Sequence, residues 1–243
     1  MSLDILITII VTSFIQSIFG VGVLLFGTPL LLLQGYSFIH SVIILLPISV
    51  AINLIQIVKD YRNIDMDFYK KILLYTIPFV VIFLFVVTRL KINIGIIIGL
   101  FLLFVAAKNY SLKINEIIKS FTRYEKTYFI IMGVVHGLTN LGGSLLTAIV
   151  HCKDYKKHVT RVTVAASYAT FAIFQIMTLV VSGYNIDIGS SEVGIYLIVG
   201  IAIFMFTEKL VYMDITNASY SKNFAVFLLL SGVLLCVKSI WLF

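Results

Sequence analysis

Eight stretches of the chain, at about 3–33, 38–58, 71–88, 92–107, 127–150, 161–183, 193–207 and 223–243, are apolar and almost free of charge. A spanning helix needs about 20 apolar residues, so these runs read as membrane helices. Composition agrees: 60% of the 243 residues are hydrophobic and 12% are charged, where a soluble domain is nearer half and a quarter. Such a chain cannot cover itself with polar groups in water. That excludes an ordinary cytosolic enzyme, and it excludes a disordered or fibrous chain. The polar connections are short, which leaves no room for a soluble ATPase or receptor module of ~100 residues. The expectation is an all-α polytopic protein of the cell membrane, crossing it several times. Met1-Ser2-Leu3-Asp4 carries an acid where a signal peptide needs bases, so 3–33 reads as retained structure.

The net charge of +7 would suggest nucleic acid in a soluble protein, but here the bases lie between apolar runs. That is the pattern of cytoplasmic loops, and no nucleic-acid partner is expected. If all eight segments cross fully, one side holds eight Lys and Arg and the other nine. If the first and fifth segments are instead re-entrant hairpins, the loops near 59–71, 108–126, 151–161 and 207–222 share one side. They then hold 15 bases against two, Arg89 and Lys91. The second arrangement obeys the positive-inside rule and puts both termini outside. Eight kinked spans of weakly determined topology remain the alternative.

Both of those segments are interrupted by glycine. The first reads Gln16-Ser17-Ile18-Phe19-Gly20-Val21-Gly22 and the second His136-Gly137-Leu138-Thr139-Asn140-Leu141-Gly142-Gly143. An offset of about 120 residues aligns Gln16 with His136, Gly20 with Asn140 and Gly22 with Gly142. The chain therefore divides into a first membrane repeat at 1–107, a basic joint at 108–126 and a second repeat at 127–243. Each repeat is a glycine-broken helix followed by three spanning helices. The halves are pseudo-symmetric, and inverted if the hairpins are re-entrant. Matched interruptions of this kind point to a secondary-transporter site.

Past each break a half-helix begins, near Val23 and near Ser144, with unpaired N–H groups and a positive dipole end at mid-membrane. Two such ends make an anion site without a buried lysine. Thr28, Thr139, Asn140, Ser144 and Thr147 can add donors. The competing reading of the glycines is close helix packing. Asn53, Gln56 and Gln175 either line a pathway or bond helices together. His136 either binds anion or relays protons, or is a core histidine satisfied by a carbonyl. Arg161, Lys156 and Lys157 either draw anions to a mouth or only set topology. Glu208 and Asp4, at span ends, are expected to be solvated. No acid falls near the centre of a span, which argues against a carboxylate relay. Cys152 and Cys236 make neither a disulfide framework nor a metal site, and an inert Cys152 is the alternative to a reactive one. No metal or cofactor is expected. Nucleotide and hydrolase motifs are absent, and His136 alone does not make a membrane enzyme.

Phe19-Gly20-Val21-Gly22 with Pro29, and Asn140-Leu141-Gly142-Gly143 in the second half, resemble the sulfite exporter TauE/SafE family over nearly the whole chain. The family pattern is a glycine run with a downstream proline, once per half. This chain has Val23 and Leu24 where further glycines are usual, Asn140 for a glycine, and Ile149 for the second proline. The resemblance implies transport of small anions, often sulfur-containing, such as sulfite, thiosulfate or organosulfonates. It carries Gly20, Gly22, Gly142 and Gly143 over as site positions. The expected activity is a secondary transporter binding its anion between the breaks, with H+ or Na+ as coupling ion and an oligomer as an open question. A passive anion channel and a membrane scaffold are the alternatives.

Overall fold

The computed structural model describes residues 2–90, 93–110, 116, 120–153, 155–185, 191–211 and 217–241. Much of the basic joint, at 111–115 and 117–119, lies outside the described residues. Among the described residues the chain is helical and contains no strand. Helix α1 (Leu3–Phe19) and α2 (Val23–Gln34) are followed by α3 (Phe38–Asp60), α4 (Met66–Arg89) and α5 (Ile94–Tyr110). In the second half α6 (Glu125–Thr139) and α7 (Gly143–His151) precede α8 (Lys157–Val181), α9 (Ser191–Val211) and α10 (Asn217–Trp241).

Four of these, Phe38–Asn63, Met66–Arg89, Lys157–Val181 and Ser191–Glu208, are long and apolar enough to cross a membrane. The protein is a helical membrane protein by this test and by its surface. Val58, Val181, Ile198 and Phe206 are all more than two-thirds exposed, while Gln16, Asn53, Gln56, His136, Asn140 and Gln175 are buried. Water would penalise that distribution, and lipid favours it. Residues in the apolar windows of α3 and α8 are 61% and 67% buried, against 33% and 17% for α4 and α9. Helices α3 and α8 therefore pack together at the centre, with α4 and α9 outside them. The other close pairs are α1 with α9, α4 with α6, and α5 with α10.

Small residues allow these approaches. On α6, Gly133 and Gly137 lie one turn apart, and a Cβ on Gly137 would stand 2.7 Å from Val80 O and 2.9 Å from Phe83 Cβ of α4. On α5 and α10, Gly99 and Gly232 face each other, each with the other's carbonyl oxygen 3.0 Å from its missing Cβ. This is the backbone-to-backbone packing favoured between membrane helices. Helix α4 widens into a π turn at Ile72–Thr76, where Ile77 N–H bonds Ile72 O. Pro78 follows and has no N–H to give the preceding turn, and the π turn absorbs that gap.

Helices α1 and α2 form an antiparallel hairpin: Gln34 Nε2 donates to Thr8 Oγ1 at 2.9 Å and Tyr36 OH to Asp4 Oδ2 at 2.8 Å. Helices α6 and α7 form another, closed by Tyr128 OH on Leu145 O at 2.7 Å and by the Glu125–Lys153 ion pair. Helix α3, about 34 Å long at 1.5 Å per residue, separates the open ends of the two hairpins. The end carrying Tyr36 holds Ser2 N–H on Tyr196 OH, Thr88 near Ser182, and Asn93 on Ser239 O. The end carrying Lys153 holds Lys71–Glu125, Tyr155–Asp65 and Lys59–Glu208. Lys238, in the last turn of α10, caps α2 at the first of these ends, donating to Leu32 O and Leu33 O at 3.0 Å.

Candidate functional site: two helix breaks joined by a polar ladder

Helix α1 ends at Gly20, whose left-handed φ of 74° lets its N–H bond Gln16 O at 2.8 Å. Glycine takes this conformation at low steric cost. Gly22 is extended and lies flat on α1: a Cβ there would be 2.6 Å from Gln16 N and from Thr12 O. Helix α6 ends the same way. Asn140 has φ 64°, and its N–H bonds His136 O at 2.8 Å. Outside glycine, Asn is among the few residues that tolerate this region, which explains how an amide occupies a glycine position. A Cβ on Gly142 would be 2.5 Å from His136 Cβ and 2.9 Å from Met132 O. Gln16 and His136, Thr12 and Met132, Gly20 and Asn140, and Gly22 and Gly142 thus fill equivalent places 120 residues apart. Gly143 has its own constraint, because a Cβ would fall on the Tyr168 hydroxyl.

The half-helix ends differ from expectation. The N–H of Val23 is not left open: Gln16 folds over the break and accepts it on Oε1 at 2.9 Å. The N–H of Ser144 turns back to Leu141 O at 3.2 Å, and Leu146 N–H bonds Gly142 O at 2.9 Å. Thr139 donates to Val135 O at 2.6 Å and accepts from Leu141 N–H at 3.2 Å. Ser144 Oγ donates to Leu141 O at 3.0 Å, and Thr147 to Gly143 O at 3.0 Å. Most of these hydroxyls therefore stabilise the turn and do not point at open space. The glycine positions are explained by close backbone approach whatever the ligand.

The amides make a ladder across the breaks. From the second break, His136 Nε2 meets Gln175 Oε1 at 3.2 Å, Gln175 Nε2 donates to Asn140 Oδ1 at 3.2 Å, and Asn140 Nδ2 donates to Thr28 Oγ1 at 2.9 Å. The last of these reaches from α6 to α2 and so ties one hairpin to the other. At the first break, Gln16 Nε2 and Gln56 Nε2 both donate to Asn53 Oδ1, at 3.2 and 3.4 Å. Asn53 Nδ2 bonds Ser49 O at 2.8 Å. All of these side chains are buried. His136 Nδ1, also buried, has no hydrogen-bond partner among the described residues.

Arg161, at the start of α8, closes the first break. Its Nε donates to Gln56 Oε1 at 3.0 Å and its Nη2 to Ser17 O at 3.4 Å. Its Cγ would lie 3.5 Å from a Cβ on Gly20. The same Nη2 is 2.8 Å from Glu208 Oε1, with the two side chains 14% and 11% exposed. Lys59 also pairs with Glu208. Glu208 is thus an interior counter-ion and not the solvated end-of-span acid expected from sequence. Apolar periodicity cannot show this, because the partners lie on three different helices. Sequence reasoning also passed over Gln16 as a site residue, although its alignment with His136 carried the signal. Among the described residues no group of three or more His, Cys, Asp or Glu side chains comes together as a metal site.

A family model described as sulfite exporter TauE/SafE matches residues 5–235 of the 243. Compared with curated proteins and with solved structures, the chain matches none. Because that match takes in both breaks, the polar side chains around them and nearly all of the ten described helices, the chain belongs to the sulfite exporter TauE/SafE family.

Proposed function

We propose that the protein is a secondary transporter of a small sulfur-containing anion, of the sulfite, thiosulfate or organosulfonate class, bound where Arg161 meets the first helix break. One observation carries this reading. In a ladder otherwise built of neutral amides and hydroxyls, a guanidinium lies against the break and holds a carboxylate. A guanidinium fork matches oxyanions by paired, charge-assisted hydrogen bonds. Glu208 is the internal oxyanion on that fork, and a sulfite oxygen is chemically its competitor. Gln16 plays the same part at the N-terminus of α2, where its amide oxygen takes the place an anion oxygen would take. His136 adds a second element. Its buried Nδ1, without a partner among the described residues, can take one further hydrogen bond.

The packing supports inverted halves. Exchanging α1 with α6, α3 with α8, α4 with α9 and α5 with α10 converts the α1–α9 contact into the α6–α4 contact and leaves α3–α8 and α5–α10 unchanged. The hairpins open at opposite ends, as two re-entrant loops in a six-span topology would. The bases Lys59, Lys71, Lys153 and Arg161 then mark the cytoplasmic side. Rocking of one half against the other would expose the Arg161 site to each side in turn. The ladder of side chains between the breaks favours a carrier over an open channel.

The test is anion binding to purified protein by thermal stability, with sulfite, sulfate, thiosulfate, sulfonates and carboxylates. Arg161→Gln combined with Glu208→Gln removes both charges and leaves no buried ion unpaired. This pair should keep wild-type stability without ligand and bind sulfite about 10- to 100-fold more weakly, the value of one or two charged hydrogen bonds. Glu208→Gln alone, which removes the internal competitor, should bind sulfite at least as tightly as wild type. Unchanged sulfite binding in the double variant would overturn the site.

A further inference from the structure

A cluster of basic side chains lies at the opposite end of α6 from its break. Between the first turns of α4 and α6 there is an open cleft of about 690 Å³. Lys70, Lys71, Arg123 and Lys126 line it against a single acid, Glu125, a net charge of +3. That acid is already taken, since Lys71 and Lys153 both bond its carboxylate. Lys70 has only a long contact of 3.9 Å to the exposed Asp67, and Lys126 sits 5.8 Å over the Tyr75 ring. The apolar part of the wall is equally specific in its placement. Leu74 and Tyr75 belong to the π turn of α4, and Leu74 and Tyr124 are 64% and 69% exposed.

We propose that this cleft binds the headgroup of an anionic phospholipid. Its bases stand at the end of the helices where the other basic side chains collect, and α4 runs from there into the apolar zone. A phosphodiester placed among Lys70, Arg123 and Lys126 would leave its acyl chains beside Leu74. A freely soluble anion would have no use for that apolar flank. Basic pockets between membrane helices on the cytoplasmic side are suited to such headgroups. The π turn contributes by widening the backbone where Leu74 turns outward, a distortion common at functional sites. This assignment is independent of the transport reading, because none of these residues belongs to the ladder.

The experiment uses purified full-length protein in a neutral detergent, with phosphatidylglycerol, phosphatidylcholine or inorganic phosphate added before a thermal melt. Phosphatidylglycerol should raise the melting temperature in wild type, and phosphatidylcholine and phosphate should not. Lys70→Gln, Arg123→Gln and Lys126→Gln together should weaken phosphatidylglycerol binding about 100-fold or more, at roughly a factor of five per base. Arg123→Gln alone, on the exposed rim, should give a partial loss and guards against a triple variant that fails to fold. An equal shift with inorganic phosphate would replace the lipid by a soluble anion. A full phosphatidylglycerol shift in the triple variant would overturn the location.

Discussion

Asp65, between α3 and α4, shows how a single carboxylate fastens the end of the helices that carries Lys153. It caps α4 by accepting from Asp67 N–H at 3.0 Å and Phe68 N–H at 2.9 Å, and it takes the Tyr155 hydroxyl from the loop before α8. Its own N–H donates to Thr163 Oγ1 at 3.0 Å. Burial pushes the carboxyl pKa up. The bonds from Phe68 N–H, the Tyr155 hydroxyl and Asp67 N–H, with the nearby Lys153 charge, outweigh it and leave Asp65 below its usual value. A lowered pKa in the folded state stabilises the fold above the ordinary carboxylate range, and the gain disappears as pH falls through the folded value. Melting temperature should therefore drop as pH is taken below about 4, and Asp65→Asn should flatten that dependence while lowering stability at neutral pH. Parallel melts of the two proteins across pH check it. A wild-type profile as flat as the variant's would remove Asp65 as the cause. Gly22 and Gly142 constrain the chain differently, by lacking a side chain. Their role was legible in the sequence as a pair of interruptions, because only glycine fits so close to a neighbouring backbone. Arg161 was legible only as one of three bases, with Lys156 and Lys157, that either draw anions or set topology. Its partners Gln56 and Glu208 come from helices far away in sequence.

The glycine interruptions read from sequence mark where α1 and α6 end, at Gly20 and Asn140. A charge count alone preferred re-entrant loops to eight crossings, because basic residues are costly to move across a membrane and so record the side they occupy. The short helices agree with this, at 17 and 12 residues in the first hairpin and 15 and 9 in the second. At 1.5 Å per residue none of the four reaches the ~30 Å of a bilayer core. A cysteine replacing Tyr36 and one replacing Lys153 should accordingly be labelled by an impermeant thiol reagent from opposite sides of the membrane, in a background lacking Cys152 and Cys236. Labelling from the same side would return the molecule to eight crossings. What the pattern did not reveal was how the half-helix ends are satisfied. Unpaired N–H groups follow from helix geometry in general, but Gln16 fills the place at Val23, and only the folded backbone shows that its side chain reaches seven residues ahead.

Taken together, the helices form an inside-out distribution of polarity. Apolar side chains cover the outer faces of α4 and α9, and the amides of α1, α3, α6 and α8 meet in the middle. The membrane class was evident from hydropathy, which depends on composition alone. The polar side chains around the breaks were legible only as suspects, Thr28 and Asn140 as possible donors and Asn53, Gln56, His136 and Gln175 as residues equally open to a packing role. The structure gathers them into two hydrogen-bonded clusters, Thr28, Asn140, Gln175 and His136 in one and Asn53 and Gln56 with Gln16 in the other. Their bonds also hold helices together, so packing and transport are not exclusive readings for them. Counterflow separates the two. Radiolabelled sulfite should accumulate transiently and saturably in proteoliposomes preloaded with unlabelled sulfite. Gly22→Ala, whose methyl group must push the start of α2 away from Gln16 and Thr12, should abolish that uptake while the protein still inserts and remains monodisperse. Sulfite uptake by correctly inserted Gly22→Ala protein at the wild-type rate, or wild-type uptake that ignores the internal sulfite, would contradict a carrier built on these breaks.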